Sequence, residues 1–279
     1  MPEELSAVEN AKRAAARRAA AMVEDGMKVG LGTGSTAAWL VRCLGERLRE
    51  EGLRITAVPT SSRTAALAGE HGIEVVTLQQ ARWLDLTIDG ADEFDPDLAL
   101  IKGGGGAHLQ EKIVATASDR MVVIADASKR VARLGAFPLP VEVIPFGWQT
   151  TRVLIEELLD GLGHGGARVS LRMNAERPFV TDEGNRILDL HLGRIRAPRE
   201  LSMALNQIPG VVENGLFIDI CDSVVIGHED GSVEIVEAPA GAAGSARGGE
   251  ERSDGAEDGA QGGAGNIFRE PPGPGGEPA

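Results

Sequence analysis

Along the first half of the chain, short aliphatic runs alternate with longer Ala/Leu-rich stretches. Met27–Leu31 reads as a strand and Ser35–Glu50 as a helix. Leu53–Val58 reads as a strand and Arg63–Glu70 as a helix. Ile73–Leu78 and Leu84–Asp89 read as strands, His108–Ala117 as a helix and Met121–Ala125 as a strand. This alternation predicts an α/β fold with a parallel sheet covered by helices. The pattern then changes. Val141–Ile144 and Arg168–Met173 read as strands, Thr150–Leu159 and Pro198–Gln207 as helices, and Thr181–Asn185 as a turn between two strands. That second set fits a small α+β domain. Leu216–Ile226 and Val233–Val236 read as returning strands around a turn at Glu229-Asp230-Gly231. The stretch Glu9–Met22 is rich in Ala and Arg, but its acidic neighbours Glu3 and Glu4 are wrong for a transit peptide. It reads as an ordinary helix.

Composition bounds the picture at both ends. After Glu237 the chain becomes rich in Gly, Pro and acidic residues, with only Ile267 and Phe268 bulky and apolar. Such a segment buries too little surface to offset chain entropy, so 238–279 is expected to be disordered. The formal charge of the 279 residues is −14. An acidic chain is a poor match for nucleic acid or an anionic membrane, both of which need a cationic surface. Aromatics make up 3%, with no Tyr, which argues against a base-stacking platform. No apolar run reaches membrane-spanning length. Cys43 and Cys221 form no CxxC pair, so no zinc site is visible and a reduced, cytoplasmic setting is the simplest reading. An acidic protein can still hold a small anion in a local positive pocket. Only five lysines are available for that: Lys12, Lys28, Lys102, Lys112 and Lys129.

The candidate chemistry falls where predicted strands end, which is where open parallel sheets bind ligands. The first strand runs into Gly30-Leu31-Gly32-Thr33-Gly34-Ser35-Thr36. Glycines expose backbone N–H groups, the next helix offers its N-terminus, and Thr33, Ser35 and Thr36 add hydroxyls: a phosphate cradle. It is not a Walker A loop, and the third glycine of a dinucleotide fingerprint is replaced by Ser35. A plain glycine turn with a Ser cap is the alternative. Thr60-Ser61-Ser62 repeats the hydroxyls before a helix, where capping alone would explain them. Ile88-Asp89-Gly90-Ala91-Asp92 sets two carboxylates three residues apart in a turn, which turn chemistry also explains. The most informative segment is Lys102-Gly103-Gly104-Gly105-Gly106-Ala107-His108-Leu109-Gln110-Glu111. Four glycines in a row make sense where backbone closely approaches a ligand. Glu111 in a first helical turn could simply answer the helix dipole. His108 reads as a near-surface residue at a helix start. Asp126-Ala127-Ser128-Lys129 brings another lysine to the same edge. Together these imply a phosphorylated small molecule handled by carboxylate acid/base chemistry, with a lysine stabilising negative charge.

In these segments the chain resembles type A ribose-5-phosphate isomerases. The resemblance rests on Val29–Ala37 (VGLGTGSTA), Ile88–Glu93 (IDGADE), Ile101–Gly106 with Glu111-Lys112-Ile113, Ile124–Lys129 (IADASK) and Phe137–Pro145 (FPLPVEVIP). Asn206–Gly210 and Asn214–Phe217 extend it, so it spans about Ala11 to Val236. It implies interconversion of D-ribose 5-phosphate and D-ribulose 5-phosphate through an enediol(ate), without metal or organic cofactor. By resemblance Glu111 is the acid/base, Lys102 stabilises the oxyanion and Asp89 assists ring opening. Asp92, with Gly90 and Ala91 beside it, holds sugar hydroxyls, and Gly103, Gly104 and Gly105 give backbone contacts. Thr33, Gly34, Ser35, Thr36 and Lys129 hold the phosphate, with Lys12 as a further contact. The implied fold is a Rossmann-like domain, residues 1–134 and 207–237. A smaller α+β domain of ferredoxin-like type, 135–206, is inserted into it, and 238–279 follow as a tail. The expected assembly is a homodimer or homotetramer. The loop has four glycines where the family pattern commonly has three followed by Ala, but the spacing from Lys102 to Glu111 is kept.

Three rivals remain at this point. A different sugar-phosphate enzyme, such as a deaminase or lactonase, fits FPLPVEVIP and IADASK poorly. A sugar-phosphate-sensing transcription regulator needs a helix-turn-helix, and about 27 residues before the first strand leave too little chain for one. A binding protein of the same fold without turnover is the third.

Overall fold

The computed structural model describes residues 5–238. The 238–279 segment predicted as a tail therefore lies outside the described residues, apart from Ala238. The chain opens with α1 (Ala7–Ala20), capped by Ser6. The first half continues through β1 (Lys28–Leu31), α2 (Ser35–Glu51), β2 (Thr56–Pro59), α3 (Ser62–Glu70), β3 (Glu74–Val75) and a four-residue helix, α4 (Leu78–Ala81). It then forms β4 (Leu86–Gly90), β5 (Glu93–Phe94), β6 (Leu100–Ile101), α5 (His108–Thr116) and β7 (Met121–Asp126). The second half contains β8 (Leu139–Val143), α6 (Trp148–Gly161), β9 (Arg168–Leu171), β10 (Met173–Asn174), β11 (Arg177–Pro178), β12 (Arg186–His191) and α7 (Pro198–Leu205). It ends in β13 (Val211–Asn214), β14 (Leu216–Phe217), β15 (Ser223–Gly227) and β16 (Val233–Glu237).

The main sheet has seven strands in the order β16-β15-β7-β4-β1-β2-β3. All pairs are parallel except β15–β16, so the sheet is mixed but mainly parallel. Both faces are covered, and β7 is buried at all six positions. Val122 and Ile124 face one side, with Leu31, Leu40, Val41, Leu44 and the alanines of α1. Met121, Val123 and Ala125 face the other, with Phe94, Leu100, Phe217 and Val224. A strand buried on both faces needs an unbroken apolar run, which is why β7 was plain in the sequence. The Ala content of α1 has a packing cause. Ala11, Ala15, Ala16, Ala19 and Ala20 are buried. A Cβ on Gly227 of β15 would stand 1.9 Å from the Ala11 carbonyl oxygen, so only small residues allow this approach.

The second sheet is antiparallel, in the order β13-β8-β12-β9. With α6 and α7 it encloses its own apolar cluster, including Leu139, Val141, Val143, Ile155, Leu188, Leu190, Leu201 and Leu205. Two small sheets, β14-β6-β5 and β10-β11, complete the fold.

Several predicted strands do not run their full length: Leu53–Val58 begins at Thr56, and Arg168–Met173 is interrupted at Arg172. Ile73–Leu78 shortens to β3 because Thr77 and Gln80 form a capping box that starts α4. Leu216–Ile226 splits into β14 and β15. Asp219 takes φ 55°, a left-handed turn that lets β14 pair with β6 and β15 join the main sheet.

Candidate active site

The carboxyl ends of β1, β4 and β7 meet the loop between β6 and α5 around one cavity of about 230 Å³. Thr33, Gly34, Ser35 and Thr36 line it from the start of α2, and Gly90, Ala91 and Asp92 from the end of β4. Lys102, Gly103, Gly104, Gly105 and Glu111 line it from the glycine loop and α5. Lys129 and Lys12 complete the set. Every predicted site residue lines this cavity except Asp89.

Its inner end is enclosed. Lys102 is 2% exposed, and its Nζ lies 2.8 Å from Asp89 Oδ2 and 3.1 Å from Glu111 Oε2. It also donates to the Gly90 carbonyl at 2.5 Å. Burial alone would lower the lysine pKa, but the two carboxylates outweigh it and hold the ammonium charged above its usual range. Glu111 stands in the first turn of α5, where the helix dipole favours a carboxylate. Burial and the neighbouring Asp89 charge oppose that and push Glu111 from 4.5 up to about 8, against the pull of Lys102. Burial also raises Asp89, partly offset by Lys102.

Asp89 is completely enclosed. Its Oδ1 accepts from the Thr33 and Gly90 amides at 3.1 and 2.6 Å, and its Oδ2 faces Lys102. A Cβ at position 32 would fall 1.9 Å from Oδ1, so glycine is required there for Asp89 to sit beneath the β1 loop. The structure thus sets Asp89 behind Lys102, with both oxygens engaged. Of the two aspartates in this turn, Asp92 faces the cavity, its Oδ2 accepting from the Gly104 amide at 2.7 Å.

The outer end is built from hydroxyls and helix ends. Gly34, with φ 119°, turns the chain into α2 and directs that helix N-terminus at the cavity. Thr33 Oγ1 bonds to Thr60 Oγ1 and Ser61 Oγ, each at 2.8 Å. The second group of hydroxyls therefore braces the first: Ser61 caps α3, and Thr64 Oγ1 donates to the Gly32 carbonyl at 3.0 Å. Asp126 caps a short 3-10 turn, Ala127–Lys129, accepting from the Ser128 amide and hydroxyl, and this turn carries Lys129 to the edge. Lys12 on α1 pairs with Glu9 at 2.7 Å, while Glu9 also accepts from the Trp39 indole.

The chain aligns closely with known proteins. The sequence profile described as ribose 5-phosphate isomerase A (phosphoriboisomerase A) matches residues 56–231. A relative named ribose-5-phosphate isomerase A from Ruegeria pomeroyi is 72% identical over 235 residues, 84% of this chain and 90% of that one.

The chain belongs to the ribose 5-phosphate isomerase A family.

Another family member, from Cereibacter sphaeroides, is 70% identical over 243 residues, 87% of this chain and 93% of its own. Among solved structures, the isomerase A of Methanocaldococcus jannaschii superposes with TM-score 0.75 at 41% identity. The match covers 82% of this chain and 99% of that one. A D-ribose-5-phosphate isomerase in complex with phospho-erythronic acid superposes with TM-score 0.76 at 40% identity, covering 82% and 99%.

Three residues line the cavity of this family member without having been singled out as site residues: Val8, Asp126 and Ser128. Asp126 and Ser128 stand inside the IADASK segment, so adjacency to Lys129 was the available signal. Val8 carried none, since α1 reaches the site only through tertiary packing. His108 also differs from its reading as near-surface. It is fully buried, its Nδ1 2.7 Å from where a Gly103 Cβ would be. Its Nε2 lies 3.9 Å from Glu142 Oε2. Burial, with Lys112 and Arg172 nearby, pulls its pKa down to about 3, so the ring is neutral and serves packing under the loop.

Proposed function

We propose that the cavity interconverts ribose 5-phosphate and ribulose 5-phosphate, with Glu111 as acid/base and Lys102 as the stabilising cation. The observation that carries this reading is the enclosed set of Lys102, Asp89 and Glu111 at the inner end of a cavity whose outer end suits a phosphate. In the open-chain aldose, the Glu111 carboxylate removes the C2 proton. The C–H electrons form the C1=C2 bond, and the carbonyl electrons move onto O1, giving an enediolate. Lys102 stabilises that charge. A proton passes from O2 to O1, and Glu111 returns its proton to C1, leaving the ketone at C2. No atom or electron is gained or lost overall. A carboxyl that titrates near neutrality can both take and return the proton.

Ring opening forms the C1=O1 bond as C1–O4 breaks, with the O1 proton leaving and O4 gaining one. Asp89 contributes by fixing the Lys102 ammonium and keeping it charged, and Asp92 holds the sugar hydroxyls. Gly103, Gly104 and Gly105 give backbone contacts. Thr33, Gly34, Ser35, Thr36 and Lys129 bind the phosphate, and Lys12 adds charge at the rim.

The wider reading is a cytoplasmic homodimer or homotetramer. Two buried free thiols support the reducing setting. Exposed Phe146, Val153 and Met203, at 88, 50 and 65%, support an assembly through the smaller sheet's layer. No helix among the described residues is long and apolar enough to cross a membrane. The strand order supports a Rossmann-like body with an inserted ferredoxin-like domain, since β8-α6-β9-β12-α7-β13 makes an antiparallel sheet ordered 4-1-3-2. Strand β13 belongs to that sheet, a few residues beyond the expected boundary at 206.

The test is ketose formation from ribose 5-phosphate by purified protein in the presence of a chelator, comparing wild type with Glu111→Gln. Wild type turns over, and the variant loses about 10²–10⁴-fold in kcat with KM little changed. A wild type without turnover would overturn the proposal. A Glu111→Gln variant with wild-type kcat would remove Glu111 from the acid/base role.

A further inference from the structure

The geometry points to Arg172, anchored by Asp189, as the positioning residue that sets the glycine loop for catalysis. This rests on the reading of Lys102–Glu111 as the catalytic segment. Arg172 follows β9 in the smaller sheet and lies outside the lining of the cavity. Its Nε and Nη2 bond to the two oxygens of Asp189 on β12, at 3.0 and 2.5 Å. Both side chains are largely buried, at 14 and 17% exposure. The remaining guanidinium nitrogen, Nη1, donates to the Gly103 carbonyl at 2.6 Å and the Gly104 carbonyl at 3.2 Å. One planar fork thus ties the loop to the smaller sheet.

The consequence follows from the planar trans peptide. Within each peptide unit the C=O and the next N–H point in opposite directions. Pinning the Gly103 oxygen turns the Gly104 N–H away from Arg172, and that N–H meets Asp92 Oδ2 at 2.7 Å. Pinning the Gly104 oxygen likewise turns the Gly105 N–H away. Four glycines have no side chains to choose among backbone conformations, so an external clamp must choose for them. The same segment holds the far end of the loop. The Phe179 amide donates to the Arg172 carbonyl at 2.9 Å, and the Phe179 ring fills the space where a Gly106 Cβ would sit. Arg172 therefore governs the direction of Asp92 and the loop amides, and through Gly103 the approach of Lys102.

The test compares Arg172→Met, Arg172→Lys and Asp189→Asn by steady-state kinetics with ribose 5-phosphate, alongside inorganic phosphate binding. Arg172→Met is expected to lose about 10–100-fold in kcat, because small misplacements of catalytic groups have effects of that size. Inorganic phosphate affinity should stay within threefold of wild type, since the clamp does not touch the phosphate rim. Arg172→Lys should not restore kcat, because an ammonium has three donors and no planar fork, and cannot replace the two bonds to Asp189 and the two to the carbonyls. Asp189→Asn keeps the volume but frees the fork, and should lose several-fold in kcat. A further variant, Arg172→Ala, should gain kcat on added guanidinium while wild type stays unchanged, and a folded Arg172→Ala with wild-type kcat would overturn the inference. Folded Arg172→Met with kcat within twofold of wild type overturns the inference. If that variant does not fold, full activity in Asp189→Asn and Arg172→Lys overturns it equally. A wild type without turnover would instead strike at the isomerase reading and is read separately.

Discussion

The two ends of the cavity handle charge in opposite ways. At the inner end, Lys102, Asp89 and Glu111 are at most 3% exposed, and each charge is set by the others. At the outer end, Lys129 and Lys12 are half-buried and share space with hydroxyls and a helix N-terminus. Water would screen the inner charges and weaken both their mutual attraction and their shifted pKa values. The outer group needs to release its ligand, so strong desolvation there would serve no purpose. The difference teaches why an acidic chain can use an anionic substrate. In the proposed reading, the three lysines at the cavity are divided between Lys102, tuned by burial, and Lys129 and Lys12, which would grip the phosphate.

Breaking the inner end should give the largest effect. Lys102→Met leaves two enclosed carboxyl groups without their cation and should destabilise the fold by about 3–5 kcal/mol near neutral pH, read by denaturant titration. The kcat of the folded protein should fall by about 10²–10³-fold. A stable, active Lys102→Met would make the inner end no different from the rim.

Next comes Gly32→Ala. Its Cβ would meet Asp89 Oδ1 at 1.9 Å, which forces either the loop or Asp89 to move. Overpacking of this kind should lower stability by about 1–3 kcal/mol. Activity should fall with it, because Thr33 loses its bond to Asp89. Unchanged activity would mean that Asp89 is not held through this contact.

At the rim, Lys129→Ala should raise KM about tenfold, the size of one charge-assisted hydrogen bond, with kcat nearly unchanged. A fall in kcat alone would place Lys129 with the inner group. A smaller effect concerns stability against pH. The folded-state pKa of Glu111 lies above its unfolded value of 4.5, so the native state binds that proton more tightly. Its contribution is full below pH 4.5 and is lost as pH rises toward about 8. Glu111→Gln should therefore lose less melting temperature than wild type between pH 5 and 8. Parallel curves would show that Glu111 titrates normally.

Much of the site was legible because its residues lie in short contiguous segments at strand ends. Lys102 to Glu111 is one loop and one helical turn, so spacing alone brought cation and carboxylate together. The strand β7 was legible because both its faces are buried. Three things were not legible, each for a tertiary reason. Asp89 looked like a residue facing substrate, but its enclosure depends on Gly32, which is 57 positions earlier, in the loop just past β1. The elevation of Glu111 could not be settled while helix dipole and burial opposed each other; burial wins with Asp89 placed beside it, against the pull of Lys102. Arg172 gave no local signal, because its role arises from a guanidinium that reaches from the smaller sheet to the glycine loop. Among the elements, β5, β6, β10 and β11 are two-residue strands with too little periodicity to detect.

The most direct test of the central claim is the pH dependence of kcat/KM for ribose 5-phosphate between pH 7 and 9. The substrate phosphate is already dianionic there, with its second pKa near 6, so the slope belongs to the enzyme. With Glu111 held near 8, kcat/KM should rise about tenfold across that range and level off above it. A flat profile from pH 7 to 9 would show a carboxylate with an ordinary pKa, and would contradict the account of an acid/base tuned by the enclosed charges around Lys102.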